Sequence, residues 1–196
     1  MDKKEIIAFF DNLAPNWHEN QNRNEAVIEY ILDSSEIKKG AKVLDVACGT
    51  GILFEDYRKR GVASLTGIDI SAEMVKVAKE KFPWAEIICG DAESYSFDKK
   101  FDAVMVYNAF PHFINPEALF KNLAQAINEG GRLTVAHGAS AKEIEDCHKG
   151  SASGVSMPLP DVKQLSEMMS PYFETDVSIS DERMYIVSGK VKKGNS

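Results

Sequence analysis

The sequence predicts an α/β fold: a doubly wound, mostly parallel sheet of seven strands. Three observations point there. Short apolar runs such as Val43-Leu44 and Val104-Met105-Val106 read as strands buried on both faces. From Lys42 onward these runs alternate with helix-period stretches, which implies βαβ units. The first run, Val43-Leu44-Asp45-Val46-Ala47, ends in the turn Cys48-Gly49-Thr50-Gly51, where glycines allow a tight bend and let a ligand approach the main chain.

Taken in order, residues 3–13 predict an amphipathic helix with Ile6, Ile7, Phe9, Phe10 and Leu13 on its apolar side. The polar stretch 16–22 predicts a loop, and a second helix carries Ala26, Val27, Tyr30 and Ile31 to about Leu32. Strands are expected at 43–47, 64–70, 85–92, 101–107 and 132–137, with helices between them at 53–59, 72–82 and 116–128. Ser71 is the cap of the helix bearing Met74, Ala78 and Phe82; Asn115-Pro116 is a start signal and Gly130-Gly131 a stop. A helix at 141–148, a glycine-bearing joint at 150–154 and a helix at 161–169 follow. Strands at 174–180 and 184–191 close the chain as an antiparallel pair.

With 196 residues, 44% hydrophobic and 27% charged, the chain has the composition of an ordinary globular domain. No apolar run approaches the roughly 20 residues that span a bilayer. Met1-Asp2-Lys3-Lys4-Glu5 lacks the apolar core of a secretory signal. Cys48, Cys89 and Cys147 form neither a CxxC pair nor an even framework. The expectation is a cytoplasmic protein with no membrane partner. A net charge of −7 argues against a nucleic-acid partner, since phosphate binding rests on Lys and Arg. The one evident basic cluster, Lys190-Val191-Lys192-Lys193, reads as a solvated tail.

Glycine turns after a first strand also bind dinucleotides, but that fingerprint needs a third glycine where this chain has Phe54. Asp45, inside the strand, would attract a cationic ligand and repel a pyrophosphate. Two further acids close the next two runs: Asp69 in Thr66-Gly67-Ile68-Asp69-Ile70, and Asp91 in Gly90-Asp91-Ala92. An acid at the end of a second strand is placed to hold ribose hydroxyls.

With both glycines, the small residues and the acid in place, residues 43–51 resemble the first motif of the class I S-adenosylmethionine-dependent methyltransferases. The resemblance runs from about Phe9 to Val191 and is strongest from Lys42 to Asp91. It implies a Rossmann-like sheet and S-adenosylmethionine as methyl donor, with S-adenosylhomocysteine as product. By the same resemblance, Asp45 with Ala47, Cys48, Gly49, Thr50 and Gly51 would hold the donor's amino acid end. Asp69 would hold the ribose, and Ile70 and Met74 would lie against the adenine. Gly90, Asp91 and Ala92 would read the adenine edge, and Asn108 would lie beneath the sulfonium. The chain is then one domain, 1–196, with N-terminal lid helices (1–35), a donor-binding core (40–138) and a C-terminal part (139–196). Trp17 is either part of the lid or an anchor for its loop.

Acceptor chemistry belongs at the ends of strands four and five. The fourth runs into Asn108-Ala109-Phe110-Pro111-His112-Phe113, the fifth ends in His137-Gly138, and Cys147-His148 follow. Three readings stay open for the histidines. His112 or His137 acts as a base toward a hydroxyl, thiol or acidic carbon; or His112, His137 and His148, with Cys147, hold a metal such as zinc; or they serve structure. Phe110, Phe113, Met157 and Leu159 either line an apolar acceptor pocket or belong to the core. The Asn108-Ala109-Phe110-Pro111 segment lacks the paired prolines of nucleic-acid amino methyltransferases. No acids follow Tyr107 as in the magnesium-binding catechol type, and three scattered cysteines do not suit arsenic methylation. The expected function is methyl transfer to a small-molecule acceptor by a monomer or homodimer. The alternatives are a non-catalytic module binding donor or product, and an enzyme modifying protein or nucleic acid through a basic groove.

Overall fold

A computed structural model describes residues 2–20, 23–149 and 152–194, without the side chains of residues 18–20 and 148. Seven strands form one sheet: β1 Lys42–Val46, β2 Ser64–Asp69, β3 Glu86–Cys89, β4 Phe101–Tyr107, β5 Ile127–His137, β6 Phe173–Ser180 and β7 Tyr185–Val191. Their order is β3-β2-β1-β4-β5-β7-β6. Strands β1 to β5 pair in parallel, and β7 runs antiparallel between β5 and β6. The chain order reverses at β1 and β4, so a crevice opens beyond the carboxyl ends of those strands.

The described residues form seven α-helices: α1 Lys3–Leu13, α2 Glu25–Ser34, α3 Phe54–Lys59, α4 Ala72–Lys81, α5 Pro116–Gln125, α6 Ala141–Lys149 and α7 Val162–Met169. Side chains alternate along β4. Val104 and Val106 join Leu119, Phe120, Leu123, Leu165 and Met169 on one face; Ala103, Met105 and Tyr107 join Val27, Ile31, Phe54, Tyr57 and Ala78 on the other. Helices on both faces explain why the strands read as unbroken apolar runs. Burial of these side chains is the main stabilising term, at roughly 25 cal/mol per Å² of apolar surface removed from water. The expected cap forms, with Ser71 Oγ accepting from the Met74 N–H, and Asn115 caps α5 through Ala118 N.

Five local expectations change. The strand expected over 85–92 forms only at Glu86–Cys89, so Gly90, Asp91 and Ala92 lie in the turn beyond it. The helix expected over 116–128 stops at Gln125, because the chain has already entered the sheet: the Ala126 carbonyl accepts from Phe101 N and Ile127 is in register with Phe101. Gly130-Gly131 is therefore inside the long strand β5 and not a helix stop. In α2 the buried stripe is Val27, Ile28, Ile31 and Leu32, leaving Ala26 and Tyr30 outside. The expected loop at 16–22 begins as a 3-10 helix, Ala14–Asn20; residues 21–22 lie outside the described set, as do 150–151 of the expected joint.

Candidate active site

The carboxyl ends of β1, β2, β3 and β4 surround a cleft that is open to solvent on one side. Its floor is the turn after β1. Ala47, Gly49 and Gly51 all adopt left-handed backbone, with φ of 53°, 54° and 85°. The turn is pinned by Cys48 N donating to Ile68 O (3.1 Å) and Gly51 N to Cys48 O (2.9 Å). At Gly51 a Cβ would come within 2.7 Å of the Phe82 ring, so this position tolerates nothing larger than glycine.

Three acids stand on the cleft wall. Asp45 is buried beneath the turn and accepts from the Tyr57 hydroxyl at 3.0 Å; burial pushes its pKa up to about 7 against that bond. Asp69 accepts from Gly49 N (2.8 Å) through one oxygen and Ser71 N (2.9 Å) through the other, locking the ends of β1 and β2 together. Burial raises it to about 6, the two backbone donors opposing the shift and Asp11 adding to it. Asp91 accepts from Glu93 N at 3.0 Å and pairs with Lys3 at 2.5 Å.

The opposite wall comes from elsewhere in the chain. Ile6, Phe10 and Lys3 of α1, with Trp17, cover the cleft. Phe10 meets Trp17 edge-on at 5.7 Å and His112 edge-on at 4.9 Å between ring centroids. His112 sits in a short 3-10 turn, Phe110–His112, beyond β4. Its Nδ1 lies 2.8 Å from the Val155 carbonyl and 3.3 Å from Ser156 Oγ. A carbonyl cannot donate, so Nδ1 carries the proton and Nε2 is the proton-accepting nitrogen of the neutral ring. Arg23 ties the stretch before α2 to the segment after the β1 turn, bonding the Ile52 carbonyl and both Asp56 oxygens.

Of the residues singled out from sequence, Asp45, Ala47, Cys48, Gly49, Asp69, Ile70, Met74, Gly90, Asp91, Ala92, Asn108 and His112 all line this cleft, together with Trp17 and Phe113. Thr50 and Gly51 are buried behind the turn and shape it from outside the lining. His137 does not reach the cleft: it is buried in the β5–β7 pair, in register with Tyr185 and edge-on to its ring at 5.9 Å. No group of three or more His, Cys, Asp or Glu is close enough to hold a metal among the described residues; the His148 side chain lies outside them, and Cys147 is exposed. The apolar acceptor set also divides. Phe110 stacks on Phe120 in the core, Leu159 packs against that core and Met157 is exposed, leaving Phe113 in the cleft. Lys3, Ile6, Phe10, Glu93 and Tyr107 line the cleft without having been singled out as site residues; for Ile6 and Phe10 the apolar stripe of α1 and its resemblance to a lid helix were the available signals.

Residues 44–135 match the family described as Methyltransferase domain. The chain is 30% identical over 138 residues to a demethylmenaquinone methyltransferase of Paenarthrobacter aurescens, covering 67% of this chain and 54% of that one. It is 32% identical over 142 residues to a ubiquinone biosynthesis O-methyltransferase of Coxiella burnetii, covering 66% and 60%. It belongs to the class I S-adenosylmethionine-dependent methyltransferases. The chain spans a little over half the length of these curated relatives. Its fold also matches the solved structure of the N-methyltransferase NodS from Bradyrhizobium japonicum in complex with S-adenosylhomocysteine, with a TM-score of 0.72 at 14% identity over 97% of this chain and 98% of that one. The methyltransferase turn after β1 and the acids at the ends of β1 and β2 lie inside the matched segment, as do Asp91 and His112. Lys3, Phe10, Trp17 and Val155 lie outside it.

Proposed function

We propose that this chain transfers the methyl group of S-adenosylmethionine to a small, uncharged acceptor, with His112 as the base that accepts the acceptor's proton. The observation that carries the reading is one cleft lined by two chemically distinct sets of groups: acids at three adjacent strand ends, two of them buried, and an imidazole held in one tautomer beside aromatic rings.

The residues present suit the donor. Asp45 and the Ala47–Gly49 backbone would hold its ammonium end, Asp69 its ribose hydroxyls, and Asp91 with Ala92 its adenine edge, with Ile70 and Met74 as apolar contacts. When bound, the donor supplies a methyl group on a sulfonium, an electrophile needing only in-line approach of a nucleophile, so positioning contributes much of the rate. Ile6, Phe10, Trp17 and Phe113 would exclude water and orient the acceptor. His112 Nε2 would take the proton of a hydroxyl, thiol or acidic carbon as the bond to the methyl carbon forms, while the sulfonium leaves as a neutral thioether. Acids outnumber cations around the cleft, and its one lysine is paired with two of them, which disfavours an anionic acceptor. The relatives named for demethylmenaquinone and for ubiquinone biosynthesis support a small-molecule acceptor, and the net charge of −7 disfavours a nucleic acid. Three free cysteines fit a reducing, cytoplasmic setting.

The test separates donor from base. Calorimetry should show S-adenosylmethionine and S-adenosylhomocysteine binding, and label from the donor methyl should enter the low-mass fraction of a cell extract. Binding without transfer, or label in protein or nucleic acid, would refute the proposal. His112→Asn keeps a donor where Nδ1 stands but has no Nε2. It should fold and bind S-adenosylhomocysteine normally, yet lose about 100-fold or more in turnover.

A further inference from the structure

We propose that Lys3 is an ionic latch that closes α1 over the cleft and sets how fast donor and product pass. This rests on reading the cleft as the donor site. Helix α1 is about 16 Å long at 1.5 Å per residue, and it is tied at both ends to the cleft rim. At its start, Lys3 Nζ lies 2.5 Å from Asp91 Oδ2 and 2.5 Å from Glu93 Oε2. At its end, Asp11 Oδ1 accepts from Ser71 Oγ (2.5 Å) and Glu73 N (3.3 Å), at the N-terminus of α4.

The two ties differ in kind. Glu93 has a side chain only 5% exposed, and its other oxygen accepts from Asn115 N, so Lys3 is the counter-ion of a nearly buried charge. Burial pulls the Lys3 ammonium down, but its bonds to Asp91 and Glu93 outweigh that and hold it above its usual value. Lys3 itself is 38% exposed, within reach of solvent ions. The Asp11 tie is a pair of short-range hydrogen bonds at a helix cap, less sensitive to salt. Helix α1 therefore releases first at Lys3 and swings about Asp11, carrying Ile6 and Phe10 off the cleft. Asp91 is also the acid placed to read the adenine edge, and Lys3 holds one of its oxygens while Glu93 N holds the other. An adenine amino group reaching Asp91 must share or displace Lys3, which couples occupancy to the latch.

Stopped-flow tryptophan fluorescence with S-adenosylhomocysteine as probe tests this on the full chain. Lys3→Met should raise both the association and the dissociation rate by about three- to tenfold, as expected for loss of two partly exposed ion pairs. Lys3→Arg should keep wild-type rates. High salt should move wild type toward Lys3→Met and leave the variant unmoved. Equal rates in wild type and Lys3→Met would overturn the latch. A faster dissociation with unchanged association would also overturn it, since Lys3 would then be a simple donor contact. Failure of S-adenosylhomocysteine to bind any of the three proteins in calorimetry would instead overturn the donor reading beneath it.

Discussion

Asp45, Asp69 and Asp91 stand at or just beyond the ends of three neighbouring parallel strands, whereas Lys3, Phe10, Trp17 and His112 reach the cleft from three separate stretches of chain, His112 held by Val155 from a fourth. The first wall is made by backbone. Asp69 bonds Gly49 N and Ser71 N, and the turn is closed by its own main chain, so the groups that would bind a ligand also hold the sheet ends together. The second wall is made by side chains meeting across long sequence gaps, as where His112 bonds the Val155 carbonyl and Phe10 abuts His112. Damage to the donor wall should therefore lower stability and donor affinity together. Damage to the lid wall should alter rates and leave stability nearly intact.

The largest effect expected is at Gly51. Gly51→Val combines a φ of 85° with a contact of 2.7 Å to Phe82, at a cost of roughly 2–4 kcal/mol. Thermal melting should show a fall of many degrees with donor binding lost alongside; a wild-type melt would break the claim that the turn is structural. Asp69→Asn comes next, because its amide NH₂ must face one of two backbone N–H groups. Affinity for S-adenosylhomocysteine should drop at least about tenfold, and the melting temperature should fall with it. A loss of affinity with no change in melting would separate the two roles that the geometry joins.

A smaller effect is protonic. Asp45 and Asp69 sit near 7 and 6 when folded, against an ordinary 3.8. Between pH 4 and 7 the folded state keeps protons that the unfolded chain has released, so ligand-free stability should fall as pH rises through that window and level off above it. A cationic ligand calls for the ionised acids, so donor affinity should weaken below pH 7, by up to about tenfold per unit for each proton released. Asp45→Asn should flatten the stability slope; a slope unchanged in denaturant titrations at several pH values would contradict the assignment. Least of all, Phe10→Ala should change S-adenosylhomocysteine affinity by only about two- to fivefold and stability by about 1 kcal/mol, since Phe10 is only half-buried. A tenfold loss of donor affinity there would erase the contrast between the walls.

The wall of acids was legible in the sequence because its parts are local. Acid, glycines and apolar runs lie within short windows, and the apolar runs place the acids at or just beyond strand ends; its reading as a donor site rests on the family resemblance. β4 matched its expected span of 101–107, and the expected helix over 3–13 formed at Lys3–Leu13. Beside local slips in the α2 stripe and at 14–20, the errors that matter for the site fell where distant pairing overrides a local pattern. The end of α5 is set by Phe101 taking the Ala126 carbonyl, a contact that the helix-like run 116–128 does not reveal. His137 and His112 looked equivalent in sequence, one closing a strand and the other just beyond one. Only the β5–β7 pairing decides that one is buried against Tyr185 while the other faces the cleft.

By itself, then, the sequence determined the alternation of strand and helix, the methyltransferase turn and the acids beside it. The alternation follows from hydrophobic period and the tight bend from backbone geometry, both of which act over a few residues; the family of the turn was read from its resemblance. Tertiary structure alone decided the second wall. Which histidine meets the cleft, which of its ring nitrogens carries the proton, and which lysine closes over Asp91 depend on side chains brought together from opposite ends of the chain. No local propensity encodes such meetings; they arise only when burial of the two apolar faces of the sheet fixes where each helix lies.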